Sequence, residues 1–203
     1  MKFKIKGLKV HISFFFVAFF SLMFVLHLDS TVYIALSGAI IHELGHIAMI
    51  LILKGKPTLL ELKVFGARLS FDNEMKKSLR DEIMIALAGP FMSLLLATAM
   101  LLVYIATDKK YMDTLNCAYI NFALALFNLL PIAELDGSRA LNYFLCYFFE
   151  EKRVEAIINT VSVITVIPFG FICFYAILCG QINISAIIVC IYLIFLVIQK
   201  TCH

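Results

Sequence analysis

Long apolar runs separated by short polar segments dominate the 203 residues of this chain. Most of the runs approach or exceed the ~20 residues that an α-helix needs to cross a hydrocarbon core. A bilayer is therefore predicted to be part of the solvent of this protein. The pattern predicts six spans, at residues 11–28, 31–53, 83–107, 115–132, 156–179 and 183–198. The predicted fold class is an all-α polytopic membrane protein.

Composition and charge support this class and indicate an orientation. Apolar residues make up 63% of the chain and charged residues only 15%, which lies outside the range of water-soluble domains. With the N-terminus inside, all the basic residues except Lys109 and Lys110 fall on the cytoplasmic side, as positive-inside topology requires. We therefore expect an integral, multi-pass protein with both termini cytoplasmic. The basic residues form no single stripe, so nucleic-acid binding is not expected.

Two substantial segments lie between the predicted spans. Residues 54–82 include LLELKVFGARLSFD, which is rich in strand formers and predicts a short β-hairpin at the membrane surface. Residues 133–155 contain LDGSR and end in a charged run. No linker or internal repeat separates a second domain. We expect one membrane-embedded domain over residues 1–203, without a CBS or PDZ domain.

The second predicted span contains the sequence HELGH, from His42 to His46. Residues four apart share a face of a helix, so both imidazoles can reach one metal ion, and Glu43 lies beside them as a general base. Ionisable residues within a span are costly unless they are paired or bind a ligand. The motif therefore predicts a catalytic zinc site, with one ion per chain, that needs a third protein ligand.

Asp136 is the leading candidate for that third ligand. It follows the fourth predicted span, where Pro131 breaks the helix and Gly137 permits a turn. Irregular backbone at membrane depth is tolerated where it lines a protein cavity, and a metal pocket is such a cavity. Spacing alone leaves a second interpretation open, in which Asp136 is an interfacial loop residue. The prediction is a broken-helix loop that carries the ligand.

Other function classes remain alternatives at this point. A zinc transporter also places histidines in a span, but the third predicted span, 83–107, offers no charged residue to pass the ion onward. A proteolytically inactive scaffold would be expected to have lost Glu43 or a ligand. A membrane zinc protease acting on prenylated proteins is a further alternative. The predicted enzyme class is a zinc metalloendopeptidase.

Three segments together resemble the site-2 protease family of intramembrane zinc metalloproteases: HELGH, ALAGPFMS at 86–93 and NLLPIAELDG at 128–137. Within that family the chain is most similar to the stage IV sporulation proteases of endospore-forming bacteria. The resemblance implies His42, His46 and Asp136 as metal ligands and Glu43 as the catalytic residue. It also implies that Asn128, with Pro131 and Gly137, positions the substrate or supports the loop that carries the metal ligand.

Three positions depart from the family pattern. Glu134 stands where Pro is expected, Ser138 where a second Gly is usual, and Ser93 where Asn is common after the Gly-Pro pair. None of these changes removes a ligand. Glu134 adds a carboxylate near the site, and its role is left open.

The resemblance also has implications for biology. It implies a membrane-associated protein substrate, namely the pro-sequence of a sporulation sigma factor, cleaved by regulated intramembrane proteolysis. It further implies regulatory membrane partners. In a spore former, the location would be the mother-cell membrane around the forespore.

Overall fold

A computed structural model describes residues 2–5, 8–12, 30–53, 57–63, 66–71, 78–108, 110–179 and 184–201 of the chain. These ranges contain four strands and six helices. The strands are β1 (Lys2–Ile5), β2 (Leu8–Ile12), β3 (Pro57–Lys63) and β4 (Gly66–Phe71). The helices are α1 (Ser30–Ile52), α2 (Leu79–Ala106), α3 (Met112–Asn128), α4 (Asp136–Leu145), α5 (Glu151–Leu178) and α6 (Ile184–Thr201).

Three described helices are long and apolar enough to cross a membrane: Ser30–Ile52, Leu79–Ala106 and Glu151–Tyr175. They correspond to the second, third and fifth predicted spans. The fourth predicted span overlaps α3, and the sixth overlaps α6. Within α6, Ile188–Ile198 is a shorter apolar stretch. Of the first predicted span, 11–28, only residues 11 and 12 are described, and they belong to β2. The count of six spans therefore stays a prediction.

The four strands form one sheet in the order β1-β2-β3-β4. β3 pairs antiparallel with β4, in the segment where the sequence predicted a hairpin, and β1 pairs antiparallel with β2. The pairing between β2 and β3 is parallel. The sequence prediction included neither N-terminal strand, because a short basic stretch before an apolar run is typical of a membrane flank.

The described chain divides into two compact units, the first formed by Met1–Ser78 and Ala88–Ala125. In this unit, glycines on α1 allow close approach to neighbouring helices. A Cβ atom on Gly45 would lie 2.7 Å from the carbonyl oxygen of Ala88 on α2. A Cβ atom on Gly38 would lie 2.5 Å from Oδ1 of Asn121 on α3. Small residues thus bring α1 against both helices, as is common within membranes.

The second unit is formed by Leu79–Leu87 and Leu126–His203. Its buried core consists of side chains from the segment between α3 and α4, from α5 and from α6: Ile132, Leu135, Val166, Leu193 and Leu196. Two of these residues, Ile132 and Leu135, come from the non-helical segment itself. Their burial anchors that segment to the helices of the same unit.

The break between α3 and α4 differs from the predicted loop. α3 ends at Asn128, and α4 begins at Asp136, so Asp136 is the first residue of a helix and not a loop residue. The helix starts there because Leu135 is still extended, with φ −80° and ψ 158°, and its carbonyl accepts the amide of Arg139 at 3.1 Å. The carboxylate of Asp136 therefore lies in the first turn of α4, at the positive end of the helix dipole.

Candidate metal centre

The two histidines of HELGH lie on one face of α1, as their spacing predicted. His42 is 5% exposed and His46 is half-buried. Their ring centroids are 5.0 Å apart, with the ring planes at 80° to each other. The imidazoles are therefore adjacent, edge to face, inside the protein.

Gly89 on α2 shows which nitrogen atoms face the site. A Cβ atom at this position would meet His46 Nε2, and it would lie 2.7 Å from Nε2 of His42. Both Nε2 atoms therefore point at the face of α2 where Gly89 has only hydrogen. A side chain there would fill the space beside the two nitrogens. The sequence prediction gave no role to Gly89, although its segment ALAGPFMS contributed to the family resemblance.

The second nitrogen of His42 has a different neighbour. Nδ1 of His42 lies 2.9 Å from Oγ of Ser93, and both residues are buried. Gly89 and Ser93 are four residues apart on α2, so they lie on the same face of that helix. The sequence analysis noted Ser93 only as a departure from the family pattern. Its contact with His42 joins residues 51 positions apart.

Asp136 is buried, with 7% of its surface exposed. With His42 and His46 it forms a candidate metal site, in which one ligand atom from each residue lies within 4.8 Å of the others. Two imidazole nitrogens and one carboxylate oxygen are a donor set typical of catalytic zinc. The space that a Cβ on Gly89 would fill is consistent with such an ion. These residues therefore fit the metal that the motif predicted.

The backbone before Asp136 is held by Ser162 of α5. The amide of Ala133 donates to Ser162 Oγ at 3.0 Å, and the Ser162 hydroxyl donates to the carbonyl of Pro131 at 3.2 Å. Ser162 is almost fully buried. Sequence reasoning missed this residue, because one serine in an apolar helix carries no recognisable pattern.

Gly137 has a role in packing and not in a turn. It lies inside α4, and a Cβ atom there would lie 2.8 Å from the carbonyl oxygen of Leu130 and would also meet Leu129 O. Only a residue without a side chain lets α4 start so close to the end of α3. Gly137 therefore allows the chain to fold back just before the candidate ligand.

The other predicted site residues differ in exposure and in backbone conformation. Glu43 is half-buried beside His42 on α1, and Asn128 is half-buried as the last residue of α3. Glu134 is exposed and has a positive φ of 72°. It is not one of the three residues grouped as metal ligands within the described part of the chain. Ser138 is buried in the first turn of α4.

Comparison with known proteins identifies relatives of this chain. Residues 106–169 match the Peptidase family M50. The chain is 29% identical over 103 residues to Stage IV sporulation protein FB from Bacillus subtilis (strain 168). That match covers 50% of this chain but only 35% of the relative.

A solved structure shows the fold over nearly the whole chain. The Site-2 Protease from Methanocaldococcus jannaschii superposes with a TM-score of 0.67 at 21% sequence identity. The superposition covers 98% of this chain and 94% of that one. These matches agree with the resemblance that the motifs indicated: residues 106–169 match peptidase family M50, and the chain has the fold of this site-2 protease.

Proposed function

We propose that this protein is an intramembrane zinc metalloprotease that hydrolyses a peptide bond of a membrane-associated protein. One observation carries the proposal: Nε2 of His42 and Nε2 of His46 both face the side-chain-free surface of Gly89. Asp136 supplies a carboxylate to the same group of ligand atoms. Neutral imidazoles together with one carboxylate leave a net positive site when zinc binds, with a coordination position for water or substrate.

A zinc ion in this site would supply Lewis-acid chemistry, polarising a carbonyl and lowering the pKa of water toward ~7. The residues of the chain have separate tasks. His42, His46 and Asp136 hold the ion. Glu43 accepts a proton from the attacking water and later returns it to the amine that leaves when the C–N bond breaks. Water is consumed, and a carboxylic acid and an amine are produced.

The region between α3 and α4 gives the ligand its position in this proposal. Asn128 ends α3, Pro131 interrupts the helix and Gly137 allows the close return of the chain, so Asp136 is presented from an anchored segment. Glu134 is exposed and serves as neither ligand nor base. The whole chain acts as one membrane-embedded domain.

We further propose a substrate and a membrane topology for this protease. The similarity to a stage IV sporulation protein supports the pro-sequence of a sporulation sigma factor as substrate, with regulatory membrane proteins as partners. Both termini are cytoplasmic, and the substrate approaches from that side. A helical substrate segment must unwind before its carbonyl can react, since its backbone groups are otherwise paired.

The test combines metal content with cleavage. The protein is purified in detergent, and its zinc is measured for the parent, Glu43→Gln, His42→Ala and Asp136→Ala. The two ligand variants should lose zinc, whereas Glu43→Gln should retain zinc and the fold and lose cleavage. Co-expression with a candidate pro-sigma factor, followed by a blot for the shortened product, measures cleavage. Parental cleavage by Glu43→Gln would contradict the mechanism, and parental zinc in Asp136→Ala would remove the third ligand.

A further inference from the structure

The two edges of the His42 ring face different residues of α2. Nε2 lies toward Gly89, and Nδ1 lies 2.9 Å from Ser93 Oγ. Because Gly89 and Ser93 are one helical turn apart, a single face of α2 contacts both nitrogens of one imidazole. Ser93 has no exposed surface, so water does not compete for its hydroxyl.

The hydrogen between Nδ1 and Oγ has two possible positions. A neutral imidazole carries one N–H, and its other nitrogen is an acceptor. If Ser93 donates to Nδ1, the ring proton is on Nε2 and points toward Gly89, where it blocks a metal. If Nδ1 carries the proton and Ser93 accepts it, the Nε2 lone pair is open. Only the second arrangement is compatible with His42 as a ligand through Nε2.

We propose that Ser93 is a positioning residue for the metal site: its hydroxyl accepts the Nδ1 proton of His42 and so directs the Nε2 lone pair of that ring to the ion. This inference rests on the zinc site of the proposed function. An outer-shell acceptor of this kind fixes the tautomer and the ring orientation, and it raises the basicity of the ligand. Ser93 acts through His42 and touches neither substrate nor ion.

Ser93 stands where the family resemblance predicts asparagine, and its contact with His42 explains why serine can take that place. The required property at this place is an acceptor oxygen directed at Nδ1, and both a hydroxyl and a side-chain amide supply one. Alanine supplies none, so the Nδ1 proton of His42 loses the hydroxyl acceptor. Loss of such an acceptor costs metal affinity even when all the ligands are intact.

The experiment measures zinc affinity by chelator competition in the full-length purified protein, for Ser93→Ala and Ser93→Cys. A thiol nearly preserves the volume of the serine but is a weak acceptor, so Ser93→Cys keeps the packing if the alanine variant does not fold. Both variants should bind zinc ~10–100-fold more weakly than the parent. The matched control is Thr98→Ala on the same helix, where Oγ1 donates to the backbone of its own helix, at Leu94 O. The control should bind zinc like the parent.

A second readout uses cobalt in place of zinc. The visible absorption bands of Co²⁺ depend on ligand geometry, so they should shift in Ser93→Ala or Ser93→Cys and stay unchanged in Thr98→Ala. Parental affinity and parental spectra in a folded Ser93 variant would overturn the role of Ser93. If the parent itself binds no zinc, or His42→Ala does not weaken binding, the proposed metal site is wrong. The two failures are therefore distinguishable.

Discussion

Ser162 holds Ala133 through its side-chain oxygen, which accepts the Ala133 amide at 3.0 Å. The same hydroxyl donates to the carbonyl of Pro131 at 3.2 Å. One side chain thus satisfies two backbone groups of a segment that is neither helix nor strand. In a membrane protein such groups must find partners inside the protein. The non-helical run before Asp136 therefore depends on a residue of α5.

Replacement of Ser162 by alanine should destabilise the protein and loosen the segment before Asp136. Two backbone groups would lose their partner, and each unsatisfied buried group costs about 1–3 kcal/mol. We expect a lower melting temperature in detergent and weaker zinc binding. Thr160→Ala on the same helix is the control, because Thr160 Oγ1 donates to Ala156 O of its own helix. Equal losses in both variants would contradict a specific role for Ser162.

Gly89→Ala should abolish zinc binding although every candidate ligand remains. The new methyl group would lie 2.7 Å from Nε2 of His42 and against Nε2 of His46, in the space that the ion needs. Zinc per purified chain should fall from about one ion to nearly none. Gly170→Ala is a matched control, because no atom of the described residues lies within 4 Å of a Cβ on Gly170. A Gly89→Ala protein with full zinc would show that the ion is held elsewhere.

Gly38→Ala should weaken the contact between α1 and α3. The added Cβ would lie 2.5 Å from Oδ1 of Asn121, a fully buried side chain whose Nδ2 donates to Cys117 O. We expect a destabilisation of roughly 1–3 kcal/mol from overpacking. The double variant with Asn121→Ala removes the obstructing atoms and should recover part of the loss. Additive effects of the two substitutions, measured by thermal unfolding, would exclude this direct clash.

The depth and side of the site can be tested by thiol labelling. His46 and His42 lie six and ten residues before Ile52, or about 9 and 15 Å along α1. With Ile52 at the cytoplasmic end, His42 lies near the midplane of a ~30 Å core and His46 lies between the midplane and the cytoplasmic face. Single cysteines, introduced into an otherwise cysteine-free protein, report the side of each helix end.

In intact cells, an impermeant thiol reagent should label cysteines at Ser30 and Asp108 and spare those at Ser78 and Lys152. Labelling in broken membranes is the control that all four positions react. The opposite pattern in intact cells would invert the topology. It would also place the substrate on the other side of the membrane.

The sequence predicted the parts of the site that depend on local spacing. His42 and His46 share a face because of the helical repeat, and Asp136 was a candidate because Pro131 interrupts an apolar run. Gly89, Ser93 and Ser162 received no role, since each acts through a partner far away in the chain. A glycine or serine in an apolar helix has many explanations until its neighbour is known.

For the fold too, the sequence predicted only those elements that leave a local pattern. The spans that match α1, α2 and α5 were visible because a bilayer requires a minimum apolar length. The strand pair β1–β2 was not predicted, because a basic N-terminus before an apolar run looks like a membrane flank. The start of α4 at Asp136 was also missed, because Pro131 and Gly137 suggested a turn where Gly137 in fact serves a close backbone contact.

The left-handed backbone of Glu134 has a consequence for protein engineering. Its φ of 72° lies in a region that a proline ring cannot reach. A protein with proline at this place must therefore follow a different path before the aspartate. A chimaera that exchanges this single residue would force the segment onto a new path and displace Asp136. Grafting between such proteins should therefore move the whole stretch from Asn128 to Gly137, together with the Ser162 that secures it.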